Sequence, residues 1–199
     1  MNSSLGIVLL SMLLATPALA ALKAGDPAPS FAAPASLAGK EFQFSLDEAL
    51  KKGPVVVYFY PSAYTGGCNI EAHTFAENKE KFTAAGATVL GVSQDSITRL
   101  NDYSADPEYC AGKFPVASDP DGAIAKSYEL NVSPAKEGAK DSRGAAIEHG
   151  FTERTTFVIA PDRRIVATLS SAADKISPAD HVTKSLAIVE GLAAPSKTK

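Results

Sequence analysis

Residues 55–68 read Val55-Val56-Val57-Tyr58-Phe59-Tyr60-Pro61-Ser62-Ala63-Tyr64-Thr65-Gly66-Gly67-Cys68. The opening run is β-branched and aromatic, with an apolar body at every position. That predicts a strand buried on both faces. Pro61 ends it, because proline has no N–H for a ladder. From Cys68 to Ala85 the pattern turns helical: Ile70, Phe75 and Phe82 are apolar, while Glu71, Glu77, Lys79 and Lys81 are polar. Gly86 supplies the C-terminal stop. A strand thus hands over to a helix across a short loop, with one of only two cysteines at the junction.

Working outward, Ala87–Ser93 reads as a second strand, and Lys51-Lys52-Gly53-Pro54 punctuates the chain before the first. Ser96 to about Cys110 is partly helical, interrupted near Asp106-Pro107. Phe114–Ala117 is a short strand and Gly122–Leu130 a short helix. Arg154–Ala160 and Ile165–Ser170 flank Pro161-Asp162-Arg163-Arg164 and predict a β-hairpin. Ser177–Leu192 is the last helix, opened by Ser177-Pro178. Asn131–Gly150 is polar and is expected to form a surface excursion with solvated charges. The order predicts one α/β domain, a central mixed β-sheet flanked by helices in a thioredoxin-like arrangement.

The N-terminus reads as an address. Leu5–Leu14 is apolar and about as long as a signal h-region, and Ala18 and Ala20 set a cleavage site after Ala20. The expected organisation is a signal peptide over 1–20, a domain over 21–192 and a polar tail over 193–199. The product is expected to be exported to a bacterial periplasm, without stable membrane association after cleavage. The net charge of −3 and the lack of a basic patch with interleaved aromatics argue against nucleic acid.

Cysteine is a nucleophile only as its thiolate. A strand-to-helix junction offers unpaired N–H groups and the positive end of the helix dipole, and both favour a thiolate placed there. Gly66-Gly67 leaves room for a small substrate before the sulfur. Thr65 adds a hydroxyl that can donate and accept. Each feature has a plainer reading: a structural thiol or disulfide for Cys68, a helix cap for Thr65, a turn former for Pro61. His73 stands off the spacing needed to share a metal on the helix. His149 and His181 are expected at the surface.

Pro61-Ser62-Ala63-Tyr64-Thr65-Gly66-Gly67-Cys68 resembles the Pro-x-x-x-Thr-x-x-Cys signature of the peroxiredoxins, the AhpC/TSA family. Lys23–Phe31, Phe114–Gly122 and Arg154–Asp162 resemble three further family segments, in order. The bacterioferritin comigratory protein, or PrxQ, branch is the most similar. The resemblance implies a thiol-dependent peroxidase that reduces hydrogen peroxide and organic hydroperoxides. Cys68 would be oxidised to sulfenic acid, Thr65 would hydrogen-bond the thiolate and peroxide, and Pro61 would shield the site. Arg154 would stand over the sulfur; its plainer reading is a surface charge at a strand end. No cofactor or metal is implied. The partners would be a peroxide and a thioredoxin-like or other thiol reductant, and the protein would be a monomer or homodimer.

Many members of this branch carry a resolving cysteine five positions after the peroxidatic one, where this chain has His73. Others carry it on a later helix before the Phe-Pro segment, where Cys110 stands. The resemblance therefore implies an intramolecular Cys68–Cys110 disulfide, formed with local unfolding. The rivals are a one-cysteine mechanism and a permanent bridge. An exported thioredoxin-like thiol-disulfide oxidoreductase would need Cys-x-x-Cys, and Glu71 stands at the second position. A copper-binding module would need Cys-x-x-x-Cys, and Ala72 stands there.

Overall fold

A computed structural model describes residues 21–193; the expected signal peptide and the end of the expected polar tail lie outside them. In chain order the elements begin β1 (Ala32–Leu37), β2 (Lys40–Ser45), α1 (Leu46–Leu50), β3 (Val55–Phe59), α2 (Gly66–Glu77), α3 (Lys79–Ala84), β4 (Thr88–Ser93) and α4 (Ile97–Ala105). They continue with β5 (Val116–Ser118), α5 (Ala123–Ser127), β6 (Val132–Ser133), β7 (Phe151–Thr152), β8 (Thr155–Ile159), β9 (Ile165–Ser170), α6 (Ser171–Asp174) and α7 (Pro178–Ala193).

Seven strands form one sheet in the order β2-β1-β5-β4-β3-β8-β9. β3 pairs parallel to β4 and antiparallel to β8, so the sheet is mixed. β3 is buried at every position. Val56 and Tyr58 feed a core beneath α2, α4 and α7, while Val55, Val57 and Phe59 feed a second core with α1 and α5. This is the two-faced strand that its apolar run predicts. Tyr58 lies opposite Gly91 on β4. A methyl group at Gly91 would come within 2.7 Å of the Tyr58 ring, so only glycine lets that ring lie across β4. The thioredoxin-like α/β architecture and the closing β8–β9 hairpin match the sequence expectation.

Three local expectations are corrected and a fourth is corrected in part. The helix after Cys68 breaks at Asn78 into α2 and α3. The hairpin β1–β2 precedes the first expected strand. Cys110 lies in turns beyond the end of α4, not on the helix. The 131–150 excursion lies at the surface with Lys136, Glu137, Lys140, Arg143 and Glu148 exposed, as expected, but it is anchored at Asp141, which is buried and accepts from Arg99 Nη2 at 2.8 Å.

Candidate active site

β3 ends at Phe59, and the chain crosses the end of the sheet through Pro61–Thr65 before α2 starts at Gly66. Cys68 therefore lies in the first turn of α2, where backbone N–H groups lack intrahelical partners. β8 runs antiparallel to β3, with Thr155 opposite Phe59. That register delivers Arg154, the residue before β8, to the same end of the sheet. Arg154 Nη2 donates to Cys68 Sγ at 3.2 Å. The sulfur is buried, 2 % exposed, so the cation beside it is poorly screened by water.

Glu71 holds the other side of the guanidinium, accepting from Arg154 Nη1. One helical turn separates Glu71 from Cys68, so both face Arg154. Burial pushes the Glu71 carboxyl up to about 8, against the pull of Arg154. Burial works against the Arg154 charge, but Glu71, when ionised, and the Cys68 sulfur outweigh it and hold the guanidinium above its ordinary value. Glu71 is fully buried, whereas its place in the helical pattern suggested a solvent face. The i, i+3 spacing from Cys68 was the signal available.

A methyl group at Gly67 would lie 3.2 Å from Arg154 Nη2 and 3.3 Å from Pro178 Cγ at the start of α7. Gly67 thus permits the close approach of Arg154, while Gly66 faces open space. Behind Arg154, His181 is buried between Thr156 Oγ1 and Ser171 Oγ, each at 2.9 Å. Burial, then the field of Arg154, lowers the His181 imidazole to about 4, so it stands neutral rather than at the expected surface. Thr65 is the residue that caps α2, but its hydroxyl donates to Ser62 O at 2.8 Å and not to a helix N–H. Pro61 is half-buried and directly follows β3.

The structure brings Cys68 and Arg154 into contact and sets Thr65 and Pro61 on the loop that leads to the sulfur. Cys110 stands apart from that contact. It is a free, fully buried thiol in the same aromatic core as Cys68, which is also free. Burial, and then Asp106, push its pKa well above the usual thiol value. Tyr103 lies between the two segments, its hydroxyl donating to Cys68 O at 3.1 Å.

Residues 24–168 match the AhpC/TSA family. The chain is 31% identical over 164 residues to peroxiredoxin Bcp of Xanthomonas campestris, covering 82% of this chain and 92% of that protein. The crystal structure of peroxidoxin BcpB from Mycobacterium tuberculosis superposes with a TM-score of 0.70 at 29% identity, over 86% of this chain and 98% of that one. The bacterioferritin comigratory protein of Xanthomonas campestris, solved in trapped intermediate and ligand complexes bearing on its alkyl peroxide reduction, gives a TM-score of 0.61 at 30% identity, over 80% and 91%. A buried cysteine at a helix start, with an arginine on its sulfur in a thioredoxin-like sheet, agrees with these likenesses: the chain belongs to the AhpC/TSA family and is a peroxiredoxin, a thiol-dependent peroxidase.

Proposed function

We propose that the enzyme reduces hydrogen peroxide and small organic hydroperoxides at Cys68, and that Cys110 then closes an intramolecular disulfide. The observation that carries this reading is the 3.2 Å bond from Arg154 Nη2 to Cys68 Sγ in a buried site. The Cys68 thiolate attacks the terminal peroxide oxygen, the O–O bond breaks, and the leaving oxygen takes both bond electrons. Cys68 becomes sulfenic acid, and the alkoxide or hydroxide takes a proton to leave as alcohol or water. Arg154 stabilises the charge that moves from sulfur to oxygen. Thr65 spends its own proton on Ser62 O, so its oxygen is available to accept the proton of an incoming peroxide. Pro61 limits water at the mouth of the site.

Cys110 then attacks the sulfenic sulfur, releasing water and leaving a disulfide that a dithiol donor reduces in a two-electron exchange. In the folded state Cys110 is fully buried and its thiol is held protonated. Opening of its segment would expose it and free it to ionise. The pattern of residues 1–20 supports export to a periplasm, where the donor would be a thioredoxin-like protein or another thiol reductant.

The test treats the reduced protein, residues 21–199, with one equivalent of hydrogen peroxide, counts thiols and maps peptides without reduction. Loss of both thiols with a Cys68–Cys110 peptide from one chain is expected. Cys68 oxidised beside a free Cys110 would make this a one-cysteine enzyme. A Cys68 no faster than a free thiol would overturn its peroxidatic role.

A further inference from the structure

Tyr64, on the loop before Cys68, has φ 60°, a left-handed conformation that is costly for a tyrosine. Such a residue persists only where its surroundings hold it. Here the holding group comes from the excursion. Ser142 N and Ser142 Oγ both donate to Tyr64 O, each at 2.8 Å. The Arg143 guanidinium lies 3.2 Å from the centre of the Tyr64 ring. Asp141, buried, fixes this turn by accepting from Arg143 N, Ala145 N, the Arg143 side chain and Arg99.

The Tyr64 ring in turn meets two others. It packs edge-on against Tyr103, with centres 4.8 Å apart, and against Tyr109 at 5.7 Å. Tyr103 bonds the Cys68 carbonyl, and Tyr109 is the neighbour of Cys110. One residue, held from outside at its carbonyl by Ser142 and at its ring by Arg143, therefore touches the supports of both cysteine segments. Because Tyr109 adjoins Cys110 in the chain, opening of the Cys110 segment has to loosen that ring contact.

We propose that Asp141-Ser142-Arg143 is a clamp that sets how often the Cys110 segment opens, with Arg143 as its positioning residue. It rests on Cys110 as the resolving thiol only for its consequence in the cycle, that opening governs the partition of Cys68 sulfenic acid between disulfide and overoxidation. A tight clamp leaves the sulfenic acid longer before excess peroxide; a loose one favours the disulfide.

The opening itself can be read without the disulfide. In a Cys68→Ser background, the rate at which iodoacetamide alkylates the buried Cys110 measures opening. Arg143→Ala is expected to raise that rate about fivefold, the effect of losing one partly exposed guanidinium–ring contact. Arg143→Lys, which keeps the charge but not the planar stack or the fork onto Asp141, should fall between. The accelerated rate should depend only weakly on urea, as local opening does. An unchanged rate, or a faster one carrying the urea slope of global unfolding, would overturn the clamp. With Cys68 present, faster disulfide formation in Arg143→Ala supports the link to resolution. A peroxide-treated protein with no Cys68–Cys110 peptide would refute Cys110 as the resolving thiol, and the alkylation rates would still decide the clamp.

Discussion

Cys68 and Cys110 share one aromatic core, and both are buried. Cys68 has the first turn of α2 beneath it and a guanidinium 3.2 Å from its sulfur. Cys110 has tyrosines around it and the carboxylate of Asp106 as its main electrostatic neighbour, and its thiol is pushed well up. Burial alone therefore does not decide whether a sulfur is reactive. The charges left beside it after water is removed decide, because a low-dielectric setting magnifies whichever sign is present. The two sulfurs differ in what stands beside them: a guanidinium donates to Cys68, while burial and a carboxylate keep the Cys110 thiol protonated.

The most severe way to break this contrast is to exchange the sulfurs for hydroxyls. Cys68→Ser is expected to cut peroxide consumption by at least about 10³-fold, since removal of a covalent nucleophile is among the costliest single changes in an enzyme. Cys110→Ser should leave the first oxidation of Cys68 at its parental rate, followed by stopped-flow with one equivalent of peroxide. Equal losses in both variants would erase the division of labour. Next in size is Arg154→Met, for which loss of one positioned donor predicts a fall of about 10²–10³-fold in kcat/KM. Arg154→Lys should recover only part of it, because an ammonium cannot reach Sγ and Glu71 as a planar fork.

The two regions were unequally legible in the sequence. β3, its loop and α2 are contiguous, so Pro61, Thr65 and Cys68 declare themselves as one strand–turn–helix unit. Arg154 lies far along the chain and is delivered by the β3–β8 register. The spacing within the chain does not encode that register, and only the family resemblance pointed to Arg154. The hairpin β1–β2 was missed for another reason. Its first strand is Ala32-Ala33-Pro34-Ala35-Ser36-Leu37, poor in β-formers, and its second is exposed along most of its length. Pairing of β1 with both β2 and β5 holds it, which is a tertiary effect overriding weak local preference. The excursion misled at Asp141 because its charges look solvated one at a time. Arg99, from a different element, is what lets Asp141 be buried.

Glu71 sharpens the contrast through pH. Its carboxyl, pushed up to about 8 by burial, keeps its proton near neutrality and loses it in mild alkali. Ionised, it competes with the sulfur for the Arg154 charge. The rate of Cys68 oxidation by peroxide should therefore sag above pH 8 in the parental enzyme. In Glu71→Gln, where the amide oxygen can still accept from Arg154, that sag should vanish, a difference of about threefold in rate at pH 9. Superimposable pH profiles would mean that Glu71 acts only as a spacer.

The remaining expected effect, read in stability rather than in rate, lies on the clamp side, at His149. Its Nε2 stands 2.9 Å from Asp95 Oδ1 and its Nδ1 stands 2.7 Å from Gly150 O. Both partners are acceptors, so both ring nitrogens are satisfied only when each carries a proton. Burial opposes that charge, but Asp95 outweighs it and raises the His149 pKa above its ordinary 6.5. Asp95 moves the other way: hydrogen bonds led by that from His149 overcome burial and lower it. A raised imidazole stabilises the fold fully below its unfolded value and loses that contribution as pH rises through its folded value. A lowered carboxylate does so above its unfolded value and loses it as pH falls through its folded one. The pair is therefore strongest between the two, in mild acid. His149→Gln, which keeps a donor but no charge, should lower unfolding stability by about 1 to 2 kcal/mol at pH 5.5, the scale of a hydrogen bond to a charged group. By pH 8.5 the deficit should shrink, because the parental protein loses the same charge. Urea midpoints at the two pH values check this. A deficit constant across pH would mean that His149 holds the excursion by shape alone.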